Sequence, residues 1–224
     1  MDGLRILERR IWLLCLKEPY QTNIGDTFYN SFVTLITVKN CIIIHGGPLT
    51  AIPEVPHSLH TLYWQPWVKN EIEKHGILCC IPSMSSPWQP YYTDWKAELE
   101  KQTISEDTIL VGHSRGVAFL IRWLGETKQQ VKKLIMVAPN LKTESDDPVL
   151  RDFYSFNVDL EIQKQVSERI VFTSENDDLE NMESAKLLAR VLKCKVINLP
   201  MHGHFITQEM GTDEFGELVA EIIK

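Results

Sequence analysis

Residues 108–116 read Thr108-Ile109-Leu110-Val111-Gly112-His113-Ser114-Arg115-Gly116. An aliphatic run of strand length enters a G-x-S-x-G motif. Beyond it Val117, Leu120, Ile121 and Leu124 recur at helical spacing. A strand, a sharp turn and an amphipathic helix in that order form the context of a nucleophile elbow. The turn leaves room only for glycine on either side of the serine. It lifts the hydroxyl above the sheet edge and aims the N-terminus of the following helix at the place where negative charge would develop. Ser114 is therefore the candidate nucleophile.

Outward from the elbow, strands and helices alternate. Cys41-Ile42-Ile43-Ile44 is a continuous apolar run, as expected of a strand buried on both faces. Pro66 opens a helix that Gly76 ends. Ile77–Ile81 is the second strand and Tyr92–Lys101 the next helix. Leu134–Ala138 and Ile170–Phe172 are strands, separated by a polar excursion over 139–167 with one short helix at most. A helix over 182–193 and a strand over 196–199 follow. The last helix is expected to start at Thr212, a good N-cap, with Asp213 and Glu214 in its first turn. This alternation predicts an α/β architecture, with a mostly parallel sheet of five to six strands and helices on both faces.

A serine nucleophile needs a base within reach and a carboxylate to orient that base, and in this architecture they follow in the order Ser, Asp/Glu, His. Ser174-Glu175-Asn176-Asp177-Asp178 leaves the fifth strand, and Met201-His202-Gly203-His204-Phe205 leaves the sixth. Ligand and catalytic groups of open α/β sheets gather at such carboxyl ends. Asp177 or Asp178 can be the orienting carboxylate, and His202 or His204 the base. His113 has no evident carboxylate partner and reads as a packing or pocket-shaping residue. For the oxyanion, the backbone N–H of Arg115 is one donor. The loop His45-Gly46-Gly47-Pro48 offers a second, for which Gly47 is the candidate, because proline has no N–H to give.

In order, Ile-Ile-Ile-His-Gly, the Pro-Trp-Val-Lys helix around Trp67, Gly-His-Ser-x-Gly, Ser-x-Asn-Asp and Gly-His-Phe resemble the small α/β-hydrolases related to retinoblastoma-binding protein nine. The resemblance spans about residues 38–224. It implies a compact serine hydrolase of α/β-hydrolase-like architecture with no large cap domain, whose triad falls on Ser114, Asp177 and His204, and no cofactor. Three features depart from the pattern. Arg115 stands where a small or apolar residue is usual, so its guanidinium is expected to alter the pocket or bind a carboxylate. The loop 48–65, with His57, His60, Tyr63 and Trp64, is expected to act as a partial lid. Residues 1–37 have no counterpart.

The chain is 224 residues long, with 23 Lys+Arg and 30 Asp+Glu, a net charge of −7. That length suits one α/β domain. Residues 1–37 hold four charges of each sign, so the remaining 19 basic and 26 acidic side chains of 38–224 carry the whole −7. The hydrolase pattern is complete within 38–224, and 1–37 is expected to lie outside the catalytic core, either appended or read through from a start upstream of Val38. The acidic balance, without a Lys/Arg cluster, argues against nucleic acid. No apolar run approaches the ~18 residues of a membrane span. Cys15, Cys41, Cys79, Cys80 and Cys194 form no metal-ligand spacing and read as free thiols in a reducing, cytoplasmic compartment. The expected function is hydrolysis of a carboxylic ester or related small acyl substrate. The rival is a binding or regulatory protein on a hydrolase scaffold.

Overall fold

The computed structural model describes residues 39–47 and 63–224. The 1–37 segment and the 48–62 stretch of the expected lid lie outside the described residues. The strands are β1 (Asn40–Ile44), β2 (Leu78–Cys80), β3 (Ile109–His113), β4 (Val131–Val137), β5 (Val166–Ser174) and β6 (Lys195–Leu199). The helices among the described residues are α1 (Gln65–Glu73), α2 (Tyr92–Leu99), α3 (Arg115–Thr127), α4 (Pro148–Phe153), α5 (Ile162–Gln165), α6 (Leu179–Leu192), α7 (Thr207–Met210) and α8 (Gly216–Ile223). The strands form one six-stranded sheet in the order β2-β1-β3-β4-β5-β6, and every pairing is parallel.

The continuous apolar runs are explained by the two faces they fill. Ile42, Ile44, Leu110, Leu134, Met136 and Val171 face Trp95 of α2, Phe119 and Leu120 of α3 and Leu188 of α6. The alternate residues Cys41, Ile43, Val111, Ile135, Val137 and Phe172 face Val68 and Ile72 of α1 and Leu218 and Ile222 of α8. Side chains alternate across a strand, so a sheet covered on both sides must be apolar at every position. The chain runs from β1 to β2 at one edge and then returns to β3 on the other side of β1. The loops after β1 and β3 thus leave the sheet together at the reversal of strand order, where α/β sheets open their crevice.

Four expectations are corrected. The 139–167 excursion holds two short helices rather than one. β5 begins at Val166, because Val166 pairs with Val131 and is fully buried; only the exposed face of Ser167 and Glu168 hides the strand in the sequence. Thr212 does not cap the last helix. Its hydroxyl accepts the Glu214 N–H at 3.0 Å in a local turn, and the helix starts at Gly216 after the fully buried Phe215. Trp64, assigned to the lid, belongs to the core, packed edge-on against His113 and Phe215.

Candidate active site

Ser114 occupies φ 53°, ψ −121°, a backbone region that costs a residue with a side chain about 1–3 kcal/mol and persists only where its surroundings enforce it. The enforcement is visible. The Ser114 N–H donates to Val137 O of β4 at 2.9 Å, and its carbonyl accepts Val117 N at 3.0 Å. A Cβ on Gly112 would lie 2.9 Å from Val117 N, and one on Gly116 would meet the carbonyl oxygens of Ile44 and His45. Both glycines of the motif are thus required by close backbone packing between β1, β3 and α3.

The elbow brings the serine to the predicted partners. Ser114 Oγ lies 2.8 Å from His204 Nε2. His204 Nδ1 lies 3.1 Å from Asp177 Oδ1 and 3.4 Å from Oδ2. The alternatives are placed elsewhere. Asp178 sits at the start of α6 and its carboxylate caps nothing, while its N–H donates to Asp177 Oδ1 at 2.7 Å. His202 Nδ1 donates to Pro200 O at 2.7 Å, beside the aromatic rings of Phe205 and Phe215.

The two loops are laced to each other. Asn176 Oδ1 accepts from Ser174 Oγ at 2.7 Å and from Gly203 N at 2.9 Å. Ser174 Oγ accepts His202 N at 3.0 Å. Glu209 of α7 accepts the His204 N–H. His113 does more than pack: its Nε2 donates to His204 O at 2.8 Å. Burial, and the positive charge that His204 would carry beside it, lower the His113 pKa to about 3, which leaves the ring neutral.

Arg115 is 3% exposed, and its guanidinium does not point to an incoming carboxylate. It donates to Tyr154 Oη at 3.1 Å through Nε and to Pro87 O through Nη1. The same Pro87 covers Gly47, where a Cβ would lie 2.7 Å from the Pro87 carbonyl carbon. Among the described residues, neither the Arg115 N–H nor the Gly47 N–H is paired with an acceptor. Gly46 approaches the nucleophile closely, since a Cβ there would come within 2.9 Å of Ser114 Cβ.

Sequence reasoning missed Asn181, Asn140, Tyr154 and Glu209. Asn181 alone left a usable signal, four residues after Asp177 at the head of a helix. Its Nδ2 lies 2.8 Å from Asp177 Oδ1 and 3.0 Å from His204 Nδ1. Among the described residues no cluster of three or more His, Cys, Asp or Glu is arranged to hold a metal, and no helix is long and apolar enough to cross a membrane.

The elbow on this sheet defines an α/β-hydrolase, and residues 56–221 match the serine hydrolase family model; the chain belongs to the serine hydrolase family and is an esterase-like enzyme. The chain is similar to YdeN of Bacillus subtilis, with 27% identity over 176 residues, 76% of this chain and 88% of that one. The solved structure of the ydeN gene product superposes with a TM-score of 0.70, covering 82% of this chain and 96% of that one at 26% identity. Est1E from Butyrivibrio proteoclasticus shares the fold at a TM-score of 0.57 and 16% identity, over 82% of this chain and 85% of that one.

Proposed function

We propose that this protein hydrolyses a carboxylic ester or related small acyl substrate through Ser114, His204 and Asp177. The observation that carries the reading is the 2.8 Å contact between Ser114 Oγ, held in its strained elbow, and His204 Nε2. In this reading Ser114 Oγ attacks the acyl carbon as His204 Nε2 takes the hydroxyl proton. Asp177 holds the Nδ1–H tautomer and steadies the imidazolium. The N–H groups of Arg115 and Gly47 receive the oxyanion, which their unpaired state supports. His204 then returns the proton to the leaving group, and water releases the acyl-enzyme by the reverse path. The fold shared with esterases such as Est1E, one structure of which holds ferulic acid, supports an acyl substrate. Residues 38–224 are the proposed catalytic unit, since every residue of the proposed site and the sheet that carries it lie within them.

A fluorophosphonate probe tests the mechanism. Labelling is expected in the native protein and absent in Ser114→Ala. An unlabelled native protein would sink the hydrolase reading. Labelling without turnover of any short acyl ester would instead favour a binding role on the same scaffold.

A further inference from the structure

Four side chains that the triad does not include join into one path. Arg115 Nε lies 3.1 Å from Tyr154 Oη, and Tyr154 Oη 2.8 Å from Asn140 Oδ1. Asn140 Nδ2 lies 3.0 Å from Asn181 Oδ1, and Asn181 Nδ2 2.8 Å from Asp177 Oδ1. The two ends decide its direction. A guanidinium only donates, and an ionised carboxylate only accepts. Arg115 therefore gives its proton to the tyrosine oxygen, and the tyrosine hydroxyl passes its own to Asn140 Oδ1. The Asn140 amide then donates to Asn181, and Asn181 donates to Asp177. Turning the Asn181 amide round would set its oxygen against the Asp177 carboxylate. Turning Asn140 round would set two amide oxygens together. This arrangement satisfies all four contacts, and Asn181 Nδ2, 3.0 Å from His204 Nδ1, converges with that nitrogen as another donor on Asp177 Oδ1.

We infer that Tyr154, Asn140 and Asn181 are positioning residues, a one-directional hydrogen-bond chain that holds Asp177 and His204 in register with the helix carrying the nucleophile. This inference rests on the reading of Ser114, His204 and Asp177 given above. Asp177 Oδ1 receives three donors, from Asp178 N, Asn181 Nδ2 and His204 Nδ1. The Asn181 donor fixes the carboxylate's rotation, and with it the plane in which His204 Nδ1 finds its acceptor. Asn181 is 5% exposed, so water does not readily replace it. Burial raises the Tyr154 pKa, which keeps the hydroxyl proton that the chain needs. Each link polarises the next, from a cation at one end to an anion at the other. The cationic end also grips Pro87 over Gly47, so the chain spans from the oxyanion loop to the orienting carboxylate.

The test is a double-variant cycle of Tyr154→Phe and Asn181→Leu. Four quantities are read: the rate of fluorophosphonate labelling at Ser114, kcat and KM on a short acyl ester, and the proton NMR resonance of the His204 Nδ1–H. Losing one link is expected to slow labelling and kcat about 5-fold in Tyr154→Phe, with KM unchanged. Asn181→Leu is expected to lose about 10-fold or more. The double variant should be no slower than Asn181→Leu alone, because the chain reaches the Asp177 carboxylate only through Asn181. Losses that multiply, or a Tyr154→Phe protein that melts earlier yet labels at the native rate, would overturn the chain. Should Asn181→Leu not fold, Asn140→Leu closes the same cycle one link away. If the native protein shows no Ser114-dependent labelling, the hydrolase reading fails on its own. The chain is then decided by the His204 resonance, which must move in Tyr154→Phe.

Discussion

At Gly47 a single hydrogen atom separates a working loop from an obstructed one. A methyl group there meets the Pro87 carbonyl, which Arg115 holds in place, so the loop must move rather than the proline. Gly47→Ala is expected to shift the proposed oxyanion donor and lower kcat by about 10²-fold, the scale of losing one such hydrogen bond. The Tm should also fall, since the added methyl meets backbone atoms rather than the end of a flexible side chain, so the kcat is compared at temperatures well below Tm. Native kcat with intact folding would remove Gly47 from the oxyanion site. At this scale the sequence was most legible where a motif is steric. G-x-S-x-G marks Ser114 because backbone contacts at Gly112 and Gly116 exclude any Cβ. It was least legible at Arg115, whose side chain serves partners 28 and 39 residues away.

Elements were legible where one periodicity ruled them and obscure where two demands competed. The apolar runs of β1, β3 and β4 announce strands because both faces are covered. The start of β5 was hidden because one of its faces is open there. The last helix was misplaced because burial of Phe215 against Phe172 and Phe205 governs the entry to α8, and the Thr212 cap does not. The other end of α8 has a polar anchor that no pattern announces. Lys133 of β4 is 1% exposed, and its Nζ donates to Glu221 O at 2.7 Å, with Glu168 at 3.3 Å. Lys133→Met keeps the apolar stem but leaves that carbonyl without its donor. The expected cost is about 1–3 kcal/mol in denaturant unfolding, with esterase activity retained at temperatures well below Tm. Unchanged stability would show that the lysine contributes no net energy to the α8 contact.

For the whole molecule, the buried imidazole of His113 couples stability to pH. Its pKa falls from 6.5 to about 3 on folding, through burial first and then through the neighbouring His204, with Asp177 opposing and His45 adding to the shift. Between those values the unfolded chain binds a proton that the native ring refuses. The stabilisation is complete above pH 6.5 and is lost progressively as the pH falls towards 3. His113→Gln retains an N–H donor for the His204 carbonyl but does not titrate. Its Tm should therefore decline less steeply than the native protein's between pH 6.5 and 4. Parallel Tm-against-pH curves would show that His113 does not contribute this pH dependence.

By itself, the sequence determined the fold class, and it singled out the candidate nucleophile and the two loops that hold its candidate partners. Those features rest on sterics and periodicity acting over a few residues. The family resemblance already pointed to Asp177 and His204, and the tertiary structure brings these two, rather than Asp178 and His202, into contact with each other and with Ser114. It alone joined Arg115, Tyr154, Asn140 and Asn181 to the site. Ser114 and His204 are 90 residues apart in the chain, and their 2.8 Å contact exists because sheet register sets β3 and β6 in one array. Distances of that kind are fixed by packing between elements, which no local pattern encodes.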